Sequence, residues 1–495
     1  MNFAPTDWTA RWARYTPDRI AVSDGQESLS YAELHRSGRQ LARLLADRGL
    51  RKGDRIAVIA ENDLSYVLLF VAAQKAGFVL VPINYRLSGR EVNSILADAD
   101  PALIVYQESY HHLLPVARAD VPTVGRYELR QLGEAGEGGD TEWTPPESPT
   151  ATDPIFILYT SGTTGLPKGV LYTHRMLFWN SENTVLSLGI GPATRTLNVM
   201  PPFHTGGWNV LTTPLLHRGG YTRLLRRFDA AEVLRLFATE RATVFMAVPT
   251  MVRLLADDPA FASADLSHLR YLVVGGEPLA PTLIERWHDR GVPIRQGFGM
   301  TEVGPNLFSL HEDDALDRKG SIGRPNFYVR TRVVGDDGTD CRPGEAGELW
   351  LRGPMTTPGY WRNSAATEKV FDGGWFRTGD VVRRDAEDYF YVVGRIKEMY
   401  ISGGENVYPA EVERYLETHP AVAEAVVVGV TDPCWGEVGH AYLVLVERHS
   451  TTKQEISDYC RLGLAGFKVP KRITLVDALP RNSTGKVDRR ALASR

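Results

Sequence analysis

Short apolar runs alternate with helix-like segments through the first part of the chain. Residues 54–60 (DRIAVIA), 78–84 (FVLVPIN) and 102–106 (ALIVY) have the length and character of buried strands. The segments between them, one ending at Lys75 and the next beginning at Ser88, have apolar positions at helical spacing. This β-α-β order predicts a parallel sheet with helices packed on its faces.

A second α/β rhythm follows a polar segment. Residues 133–153 are rich in Gly, Glu, Pro and Thr, which predicts a surface linker. Beyond it, apolar runs at residues 155–158 (IFIL), 196–201 (TLNVMP), 242–249 (ATVFMAVP) and 269–276 (LRYLVVGG) again alternate with helical patterns. The fold class predicted for this part is α/β, built from parallel subdomains.

The pattern changes after about residue 320. Residues 329–338, 347–353 and 388–395 are short segments that alternate apolar and polar positions and are joined by Asp-Gly-type turns. This arrangement is typical of an antiparallel sheet or barrel.

The end of the chain predicts a separate small domain. Strand-like runs at residues 421–430 (AVAEAVVVGV) and 440–447 (HAYLVLVE) precede a helical pattern around residues 454–464. About a hundred residues is a sensible size for an independent domain. We therefore place a boundary between a large domain, residues 1–395, and a small domain, residues 396–495.

Composition and charge narrow the class of protein. The 495 residues are 43% hydrophobic and 23% charged, with a formal net charge of −4. These values are typical of a globular protein and give no reason to expect nucleic acid as a partner. Cys341, Cys434 and Cys460 are far apart and form no CxxC pair, which favours a reducing compartment over a disulfide framework or a zinc site.

The most apolar stretch, residues 65–83, is interrupted by Gln74, Lys75 and Gly77. A buried helix followed by a buried strand accounts for it better than a membrane span does. The N-terminal segment lacks the apolar core of a signal peptide. We expect a cytoplasmic protein with no integral membrane segment.

Residues 159–170 (YTSGTTGLPKGV) have the composition of a phosphate-binding loop. Glycines let backbone N–H groups approach phosphate oxygens, the hydroxyl side chains add donors, and Lys168 adds a positive charge. The segment is not a P-loop, because Pro167 stands where that pattern has its second glycine and Gly169 stands where it has Ser or Thr. The ordinary alternative is a flexible turn between a strand and a helix.

The segment QGFGMTEVG, residues 296–304, half-matches a dinucleotide-binding fingerprint. Glu302 stands where the third glycine belongs, so a dinucleotide site is poorly supported. A carboxylate beside the Thr301 hydroxyl suits a magnesium–phosphate site, and Phe298 offers a flat face for a base. On its own, the segment could equally be a structural turn.

Three shorter motifs lie nearer the C-terminus: TGD at residues 378–380 at the end of a loop, GRIK at residues 394–397, and STGK at residues 483–486. The Asp380 carboxylate could accept hydrogen bonds from two ribose hydroxyls. Taken alone, TGD is a common turn, and Lys486 has the ordinary alternative of a solvated surface lysine.

In their joint order and spacing, these motifs resemble those of the ANL adenylate-forming superfamily, which includes acyl- and aryl-CoA synthetases, peptide-synthetase adenylation domains and luciferases. The resemblance covers essentially the whole chain, including GELWLRGPMTTPGYW at residues 347–361 and SGGENVYPAEVE at residues 402–413. It implies a large N-terminal domain of parallel α/β subdomains plus a β-barrel-like part, with a small mobile α+β C-terminal domain.

The resemblance also implies a site for ATP and Mg²⁺. Thr301 and Glu302 are expected to act on the α-phosphate, with Glu302 as the metal ligand. Lys486 is expected to join the substrate carboxylate to the α-phosphate oxygens. The residues expected to bind ATP or AMP are Thr160, Ser161, Gly162, Thr163, Thr164, Gly165, Lys168, Gly275, Gly276, Glu277, Gly297, Phe298, Gly299, Met300, Asp380 and Arg395.

By the same resemblance, the small domain rotates about a hinge at Lys397 and presents a binding surface to CoA. The residues expected to contact CoA are Ser402, Gly403, Gly404, Glu405, Trp435 and Phe467, with Lys468, Lys471 and Arg472 near its phosphates. The ordinary alternative is that Trp435 is a structural aromatic residue and the lysines form a solvated face. Glu398 and Tyr400 depart from the usual superfamily residues without removing a catalytic group.

The acid substrate is constrained by the segment around PPFHTGGWN. By the resemblance, His204 is expected to act near the reacting carboxylate, and His204, Gly206 and Trp208 are expected to line the acyl pocket. The ordinary alternative for His204 is a core histidine. Residues 203–216 contain no charged side chain that could pair with an amine or a second carboxylate. An acid whose tail carries no charge is therefore favoured, a fatty acid first and an aryl acid next. Gly206 could leave depth for a long chain, while Trp208 could close a short aryl pocket.

The resemblance therefore implies an AMP-forming acid–CoA ligase. It would convert a carboxylic acid and ATP to acyl-AMP and pyrophosphate, and would then transfer the acyl group to CoA and release AMP. Residues 325–394 contain no obvious inserted segment, which favours CoA over the alternative acceptor, a carrier-protein phosphopantetheine. A luciferase-like oxygenase and a non-catalytic adenylate-binding protein are further alternatives, and a homodimer is allowed.

Overall fold

The computed structural model describes residues 7–114, 121–125, 128, 143–160, 167–276, 279–403, 405–433, 435–447, 449–482 and 485–493. The strands within these ranges form four sheets. They are β1 (Ile20–Ser23), β2 (Ser28–Ser30), β3 (Arg55–Ile59), β4 (Val79–Pro82), β5 (Leu103–Tyr106), β6 (Thr123–Gly125), β7 (Pro154–Thr160), β8 (Lys168–Thr173), β9 (Arg195–Asn198), β10 (Tyr221–Leu224), β11 (Val244–Ala247), β12 (Tyr271–Val274), β13 (Ile294–Met300), β14 (Gly304–Ser309), β15 (Arg324–Pro325), β16 (Arg330–Val334), β17 (Ala346–Arg352), β18 (Phe371–Asp372), β19 (Trp375–Arg384), β20 (Phe390–Arg395), β21 (Tyr400–Ser402), β22 (Glu405–Val407), β23 (Val422–Asp432), β24 (Gly436–Leu445) and β25 (Arg472–Leu475).

Helices connect and cover these strands. They are α1 (Trp8–Tyr15), α2 (Tyr31–Asp47), α3 (Leu64–Ala76), α4 (Gly89–Ala99), α5 (His174–Leu188), α6 (Thr205–Asn209), α7 (Thr212–Arg218), α8 (Ala230–Thr239), α9 (Pro249–Asp257), α10 (Pro281–His288), α11 (Ser364–Glu368), α12 (Pro409–Leu416), α13 (Lys453–Gly463) and α14 (Arg489–Ala493), with 3₁₀ turns at Glu108–Leu113, Pro259–Ala262 and Glu312–Asp314. Several helices begin at side-chain caps that the sequence supplies. Ser30, Ser88 and Thr452 each form a capping box with a glutamate three residues later.

The first sheet contains the first predicted β-α-β segment. Its six strands run in the order β6-β5-β3-β4-β7-β8, and every neighbouring pair is parallel except β7 and β8. The three predicted runs at residues 54–60, 78–84 and 102–106 become β3, β4 and β5. The parallel arrangement predicted from the alternating pattern is confirmed.

The second sheet has nine strands in the order β15-β14-β13-β12-β11-β9-β10-β1-β2. Its interior is parallel from β13 to β1, and antiparallel strands lie at both edges. β13 is shared between the two patterns, because its first half pairs in parallel with β12 and its second half pairs antiparallel with β14. The motif at residues 296–304 covers the second half of β13, the turn after it and the first residue of β14.

Helix α3 explains the long apolar stretch at residues 65–83. All of its residues are buried, and it packs in one core with residues of α2, β3, β4 and β7. A helix that is apolar on every face needs such complete burial. Among the described residues, no helix is long and apolar enough to cross a bilayer.

The predicted linker has no regular structure in its described part, residues 143–153. It is nevertheless held to the large domain, because Lys52 Nζ lies 2.7 Å from Glu147 Oε1 and 3.0 Å from Asp153 Oδ2. The alternating segments after residue 320 form a third, antiparallel sheet of β16 to β20. Of the two predicted arrangements, the described pairings therefore form the antiparallel sheet.

The small domain has its own sheet and core. Its strands run in the order β22-β21-β24-β23, with β25 paired in parallel to β24. Tyr400 is 2% exposed and occupies a space between Gly429 and Gly439, which face each other across β23 and β24. A Cβ atom at Gly429 would lie 2.5 Å from Tyr400 Cβ, and one at Gly439 would lie 2.5 Å from the Tyr400 hydroxyl. These two glycines accommodate the aromatic ring that replaces the usual aliphatic residue.

The N-terminal helix is fastened to α3 through a buried ion pair. Lys75 is only 6% exposed in its side chain and contacts Asp7, and its Nζ also lies 2.8 Å from His35 Nδ1. Burial lowers the pKa of Lys75, while the neighbouring Asp7 carboxylate opposes that effect. The Asp7 carboxylate therefore offsets the cost of burying the Lys75 charge beside the α3 core.

Replacing Asp7 by Asn should destabilise the large domain, because it leaves the buried Lys75 charge without its carboxylate. Breaking a fully buried pair costs 3–5 kcal/mol, so we expect about 2 kcal/mol for this pair, since Asp7 is 33% exposed. Urea unfolding followed by tryptophan fluorescence measures the loss. The double variant Asp7→Asn with Lys75→Met should recover most of it, and an unchanged midpoint for Asp7→Asn alone would contradict the assignment.

Candidate active site

The glycine-rich segment closes a β-hairpin. Thr160 at the end of β7 pairs with Lys168 at the start of β8. The alternative of a simple strand-to-helix turn is therefore wrong, because a second strand intervenes before α5. The five predicted phosphate ligands within the loop lie outside the described residues: Ser161, Gly162, Thr163, Thr164 and Gly165.

Lys168 is connected to Glu302 through a tyrosine that the motif analysis did not single out. Tyr360 lies on a segment running beside β8, where the Trp361 N–H donates to the Gly169 carbonyl at 2.7 Å. The Tyr360 hydroxyl donates to Glu302 Oε1 at 3.0 Å, and Lys168 Nζ lies 5.2 Å from the centre of the tyrosine ring. The GYW sequence ending residues 347–361 marked this position, but it gave no chemical reason for a role.

Glu302 lies with Thr301 on the tight turn between β13 and β14, and it is 8% exposed. Burial raises the pKa of Glu302, and the Tyr360 hydrogen bond and the Arg395 charge offset part of that effect. A buried carboxylate of this kind fits a Mg²⁺ ion, since Mg²⁺ prefers oxygen ligands and is often held by one carboxylate together with substrate phosphates. Within the described ranges no group of three metal-binding side chains occurs.

The glycines predicted at the nucleotide site gather at the ends of neighbouring strands. Gly275 and Gly276 follow β12, and Gly297 and Gly299 lie in the second half of β13. A Cβ atom at Gly275 would lie 3.3 Å from the Gly297 carbonyl oxygen, and one at Gly299 would lie 2.1 Å from the Pro305 carbonyl oxygen. Gly299 therefore has no room for a side chain where the turn folds back.

Three other residues predicted to bind the nucleotide are Phe298, Met300 and Glu277. The Phe298 ring is half-buried and meets the Phe308 ring edge-on at 5.8 Å. Met300 pairs with Gly304 across the turn. Glu277 lies outside the described residues. The glycines, Phe298 and Met300 thus share one edge of the second sheet.

Asp380 and Arg395 form a direct ion pair. Arg395 Nε donates to Asp380 Oδ1 at 2.7 Å and its Nη2 donates to Oδ2 at 3.2 Å, across the paired strands β19 and β20. TGD thus lies inside β19 and not at the end of a loop, with Gly379 at a φ of +72°. Asp380 is 3% exposed, and burial raises its pKa, with partial compensation by Arg395 and Lys486.

Lys486 brings a charge of the small domain to this site. Burial lowers the pKa of His204 to about 4, and the charges of Lys486 and Arg86 add to that lowering. Lys486 also acts on the pKa of Asp380. The charge of Lys486 thus acts on two groups of the large domain, and its role in joining the substrates stays a prediction.

The three residues predicted for the acyl pocket have different surroundings. His204 is half-buried and its ring packs on Phe203 at 4.6 Å. A Cβ atom at Gly206 would meet the methyl groups of Met200 and Met246 at 3.6 and 3.8 Å. Trp208 is 3% exposed and packs in the α3 core, with its Nε1 donating to the Pro202 carbonyl. The observed contacts of Trp208 are thus those of a core residue, and its pocket role stays a prediction.

The residues predicted to contact CoA have different surroundings in the small domain. Trp435 is 46% exposed, its carbonyl accepts a hydrogen bond from the Gly403 N–H at 2.9 Å, and Lys471 Nζ lies 5.4 Å from its ring. Phe467 instead packs on the small-domain core. Lys468, which follows it, pairs with Glu411 at 2.7 Å.

Three other predicted residues lie in or near the turn that opens the small domain. Lys397 is exposed in the turn between β20 and β21. Ser402 is 1% exposed and Glu405 is exposed, and they pair across the β21–β22 hairpin. Gly404 lies outside the described residues. The hinge and CoA roles remain predictions.

Comparison with known proteins identifies the family. The model of the AMP-binding enzyme family matches residues 9–361, and that of the AMP-binding enzyme C-terminal domain matches residues 411–486. The chain is 39% identical to a feruloyl-CoA synthase of an Amycolatopsis species, over 97% of this chain and 96% of the relative. It is 35% identical to the long-chain-fatty-acid–CoA ligase FadD13 of Mycobacterium tuberculosis, over 93% and 91% of the two chains.

The solved structures agree. The o-succinylbenzoate CoA synthetase of Bacillus subtilis, in complex with the acyl-adenylate OSB-AMP, superposes with a TM-score of 0.87 at 32% identity, covering 99% of this chain and 98% of that one. The two family models together account for both the large and the small domain. The chain therefore belongs to the AMP-binding enzyme family.

Proposed function

We propose that this protein is an AMP-forming acid–CoA ligase. The observation that carries the proposal is the family match over both domains, and the charge of Lys486 from the small domain also acts on the pKa of His204 and of Asp380 in the large domain. A lysine in this place can bridge two anions that repel each other, a carboxylate and the α-phosphate of ATP. Named relatives that act on feruloyl, indoleacetate and long-chain fatty acids support the same class of reaction.

In the first half-reaction, a carboxylate oxygen attacks the α-phosphorus of ATP. The new O–P bond forms as the bond to the β-phosphate bridging oxygen breaks, giving acyl-AMP and pyrophosphate. Lys486 offsets the charge that builds up on the attacking and α-phosphate oxygens, while Lys168 and its loop hold the leaving pyrophosphate. The pKa of His204 is about 4, so its imidazole is neutral at physiological pH. A neutral imidazole can orient the substrate carboxylate by a hydrogen bond without neutralising its negative charge.

Mg²⁺ is the metal that this site fits, and Glu302 would hold it. When bound, the ion supplies charge neutralisation at the phosphates. A similar solved structure, that of the Bacillus subtilis o-succinylbenzoate CoA synthetase, contains ATP and a magnesium ion. In this chain Tyr360 holds one Glu302 oxygen by a hydrogen bond.

In the second half-reaction, the CoA thiolate attacks the acyl carbonyl and AMP leaves. We infer that the small domain, residues 396–495, rotates about the exposed turn containing Lys397 to present the surface around Trp435 and Gly403. The turn is suited to a hinge, since it joins two sheets with separate cores.

The acid is an uncharged aromatic or aliphatic monocarboxylic acid in this proposal. The PPFHTGGWN segment contains no charged group to pair with an amine or second carboxylate. The sequence favoured a fatty acid first, and the feruloyl-CoA synthase relative supports an aryl acid.

A cytoplasmic location and a homodimeric state are further proposals that rest on the sequence. The wide separation of Cys341, Cys434 and Cys460 along the sequence supports the location. Light scattering at several protein concentrations would determine the oligomeric state.

Replacing Lys486 by Ala should abolish most acyl-adenylate formation. Loss of one donor that stabilises transition-state charge typically costs about 10²- to 10³-fold in rate, and we expect that range for acid-dependent pyrophosphate release. The variant should still convert preformed acyl-AMP and CoA to the thioester at the wild-type rate. Full adenylation by the variant would refute the mechanism.

The first half-reaction should show no ionisation of His204 near neutral pH. Because the free-enzyme pKa of His204 is lowered from 6.5 to about 4, the neutral form persists as pH falls through 6.5. We expect kcat/KM for the acid to have no inflection near pH 6.5 that depends on this residue. An acidic limb near pH 6.5 that disappears in His204→Gln would contradict the assignment.

A panel of acids should separate the two substrate classes. Cinnamic-type aryl acids and straight-chain fatty acids of increasing length are compared by pyrophosphate release with and without CoA. We expect uncharged acids to support turnover and amino acids or dicarboxylates to be at least tenfold poorer. Selective turnover of a dicarboxylate would show that a cationic partner exists in the pocket and overturn the proposed class.

A further inference from the structure

An arginine of the large domain reaches across to the main chain of the small domain. Arg253 lies on α9, and its Nη2 donates to the Ala423 carbonyl at 2.8 Å. Its Nη1 lies 3.2 Å from Glu424 Oε1. The Arg253 and Glu424 side chains are 29% and 24% exposed, so the contact is largely enclosed.

The second oxygen of Glu424 connects this contact to the hairpin that carries Lys486. Arg481 Nη2 donates to Glu424 Oε2 at 2.9 Å, and Arg481 Nη1 donates to the Gly485 carbonyl at 3.1 Å. Gly485 immediately precedes Lys486. The hairpin is closed by reciprocal bonds between Asn482 and Lys486, at 2.8 and 3.1 Å.

We propose that Arg253, Glu424 and Arg481 form a latch that positions Lys486 for adenylation and opens when the small domain rotates. The inference rests on the proposed function, because it assumes that Lys486 serves the first half-reaction. Arg253, Glu424 and Arg481 are therefore positioning residues, because they act on the reaction through the hairpin that carries Lys486.

The charges around the latch explain why Arg253 matters. Glu424 and Glu413 both act on a buried carboxylate, Glu417, and Glu413 is itself paired with Arg489. Burial raises the pKa of Glu417 to about 7, with Glu413 and Glu424 adding to the rise and Arg253 opposing it. Without Arg253, the large domain would offer less positive charge to these carboxylates of the small domain. The orientation in which the two domains are in contact would then lose stability.

The geometry also distinguishes the latch from an ordinary surface ion pair. Exposed ion pairs contribute little to stability, because water and dissolved ions screen their charges. Arg253 uses two N–H groups on two different acceptors, one of them a backbone carbonyl, and so fixes the direction of approach. A rotation of the small domain that carries β23 away from α9 must break both contacts together.

The experiment compares Arg253→Ala, Arg253→Lys and Glu424→Gln with Arg235→Ala, an exposed arginine on the neighbouring helix α8. The first half-reaction is followed as single-turnover pyrophosphate release, and the second as thioester formation from preformed acyl-AMP and CoA. We expect Arg253→Ala and Glu424→Gln to slow the first by about tenfold and to leave the second unchanged. Arg253→Lys should recover part of the loss, and Arg235→Ala should match the wild type in both.

Combining Arg253→Ala with Lys486→Ala gives the decisive comparison, because residues that act through one another are not additive. If the latch works through Lys486, the double variant adenylates no more slowly than Lys486→Ala alone. A further loss in the double variant, an equal fall of both half-reactions in Arg253→Ala, or no effect on the first would overturn the latch. Full adenylation by Lys486→Ala alone would instead reject the proposed function, a result that the Arg253 variants cannot mimic.

Discussion

Electrostatic balance around buried carboxylates from two different sheets governs the candidate active site. Glu302 and Asp380 are buried carboxylates at a site that, in the proposed reaction, also receives a carboxylate substrate and a polyphosphate. Burial raises the pKa of both groups, which shows how unfavourable further negative charge is there. Arg395 compensates only Asp380 directly. In the proposed reaction, Lys168 adds positive charge at the departing phosphates, and the rest arrives with Mg²⁺ and Lys486, so the position of the small domain would decide when the chemistry can start.

The fold supplies this site by bringing strand ends together. β13 joins the parallel interior of the second sheet to its antiparallel edge, and the turn at its end carries Glu302. The segment beside β8 carries Tyr360 to the same carboxylate, and the third sheet brings Asp380 opposite Arg395. Glu302, Tyr360 and the Asp380–Arg395 pair thus lie on paired strands or directly beside them. Lys486 alone comes from a part that is proposed to move.

The sequence predicted the parts that depend on local pattern. Apolar runs and helical spacing located β3, β4, β5 and the buried α3, because burial imposes those periods directly. Contacts between distant segments left no such signal. Tyr360 and Arg253 acquire their roles only through partners far along the chain, namely Glu302 and Glu424, and neither spacing nor composition pointed to them. Trp208 shows the converse, because a local motif suggested a pocket while the fold turned its ring into the core.

The central claim is that the carboxylate is activated on the α-phosphate before any thiol takes part. Exchange of labelled pyrophosphate into ATP, measured with Mg²⁺ and a suitable acid but without CoA, tests it most directly. The account predicts exchange that depends on the acid and proceeds in the absence of CoA, because acyl-AMP and bound pyrophosphate form reversibly. Exchange that requires CoA, or that runs equally well without any acid, would contradict it.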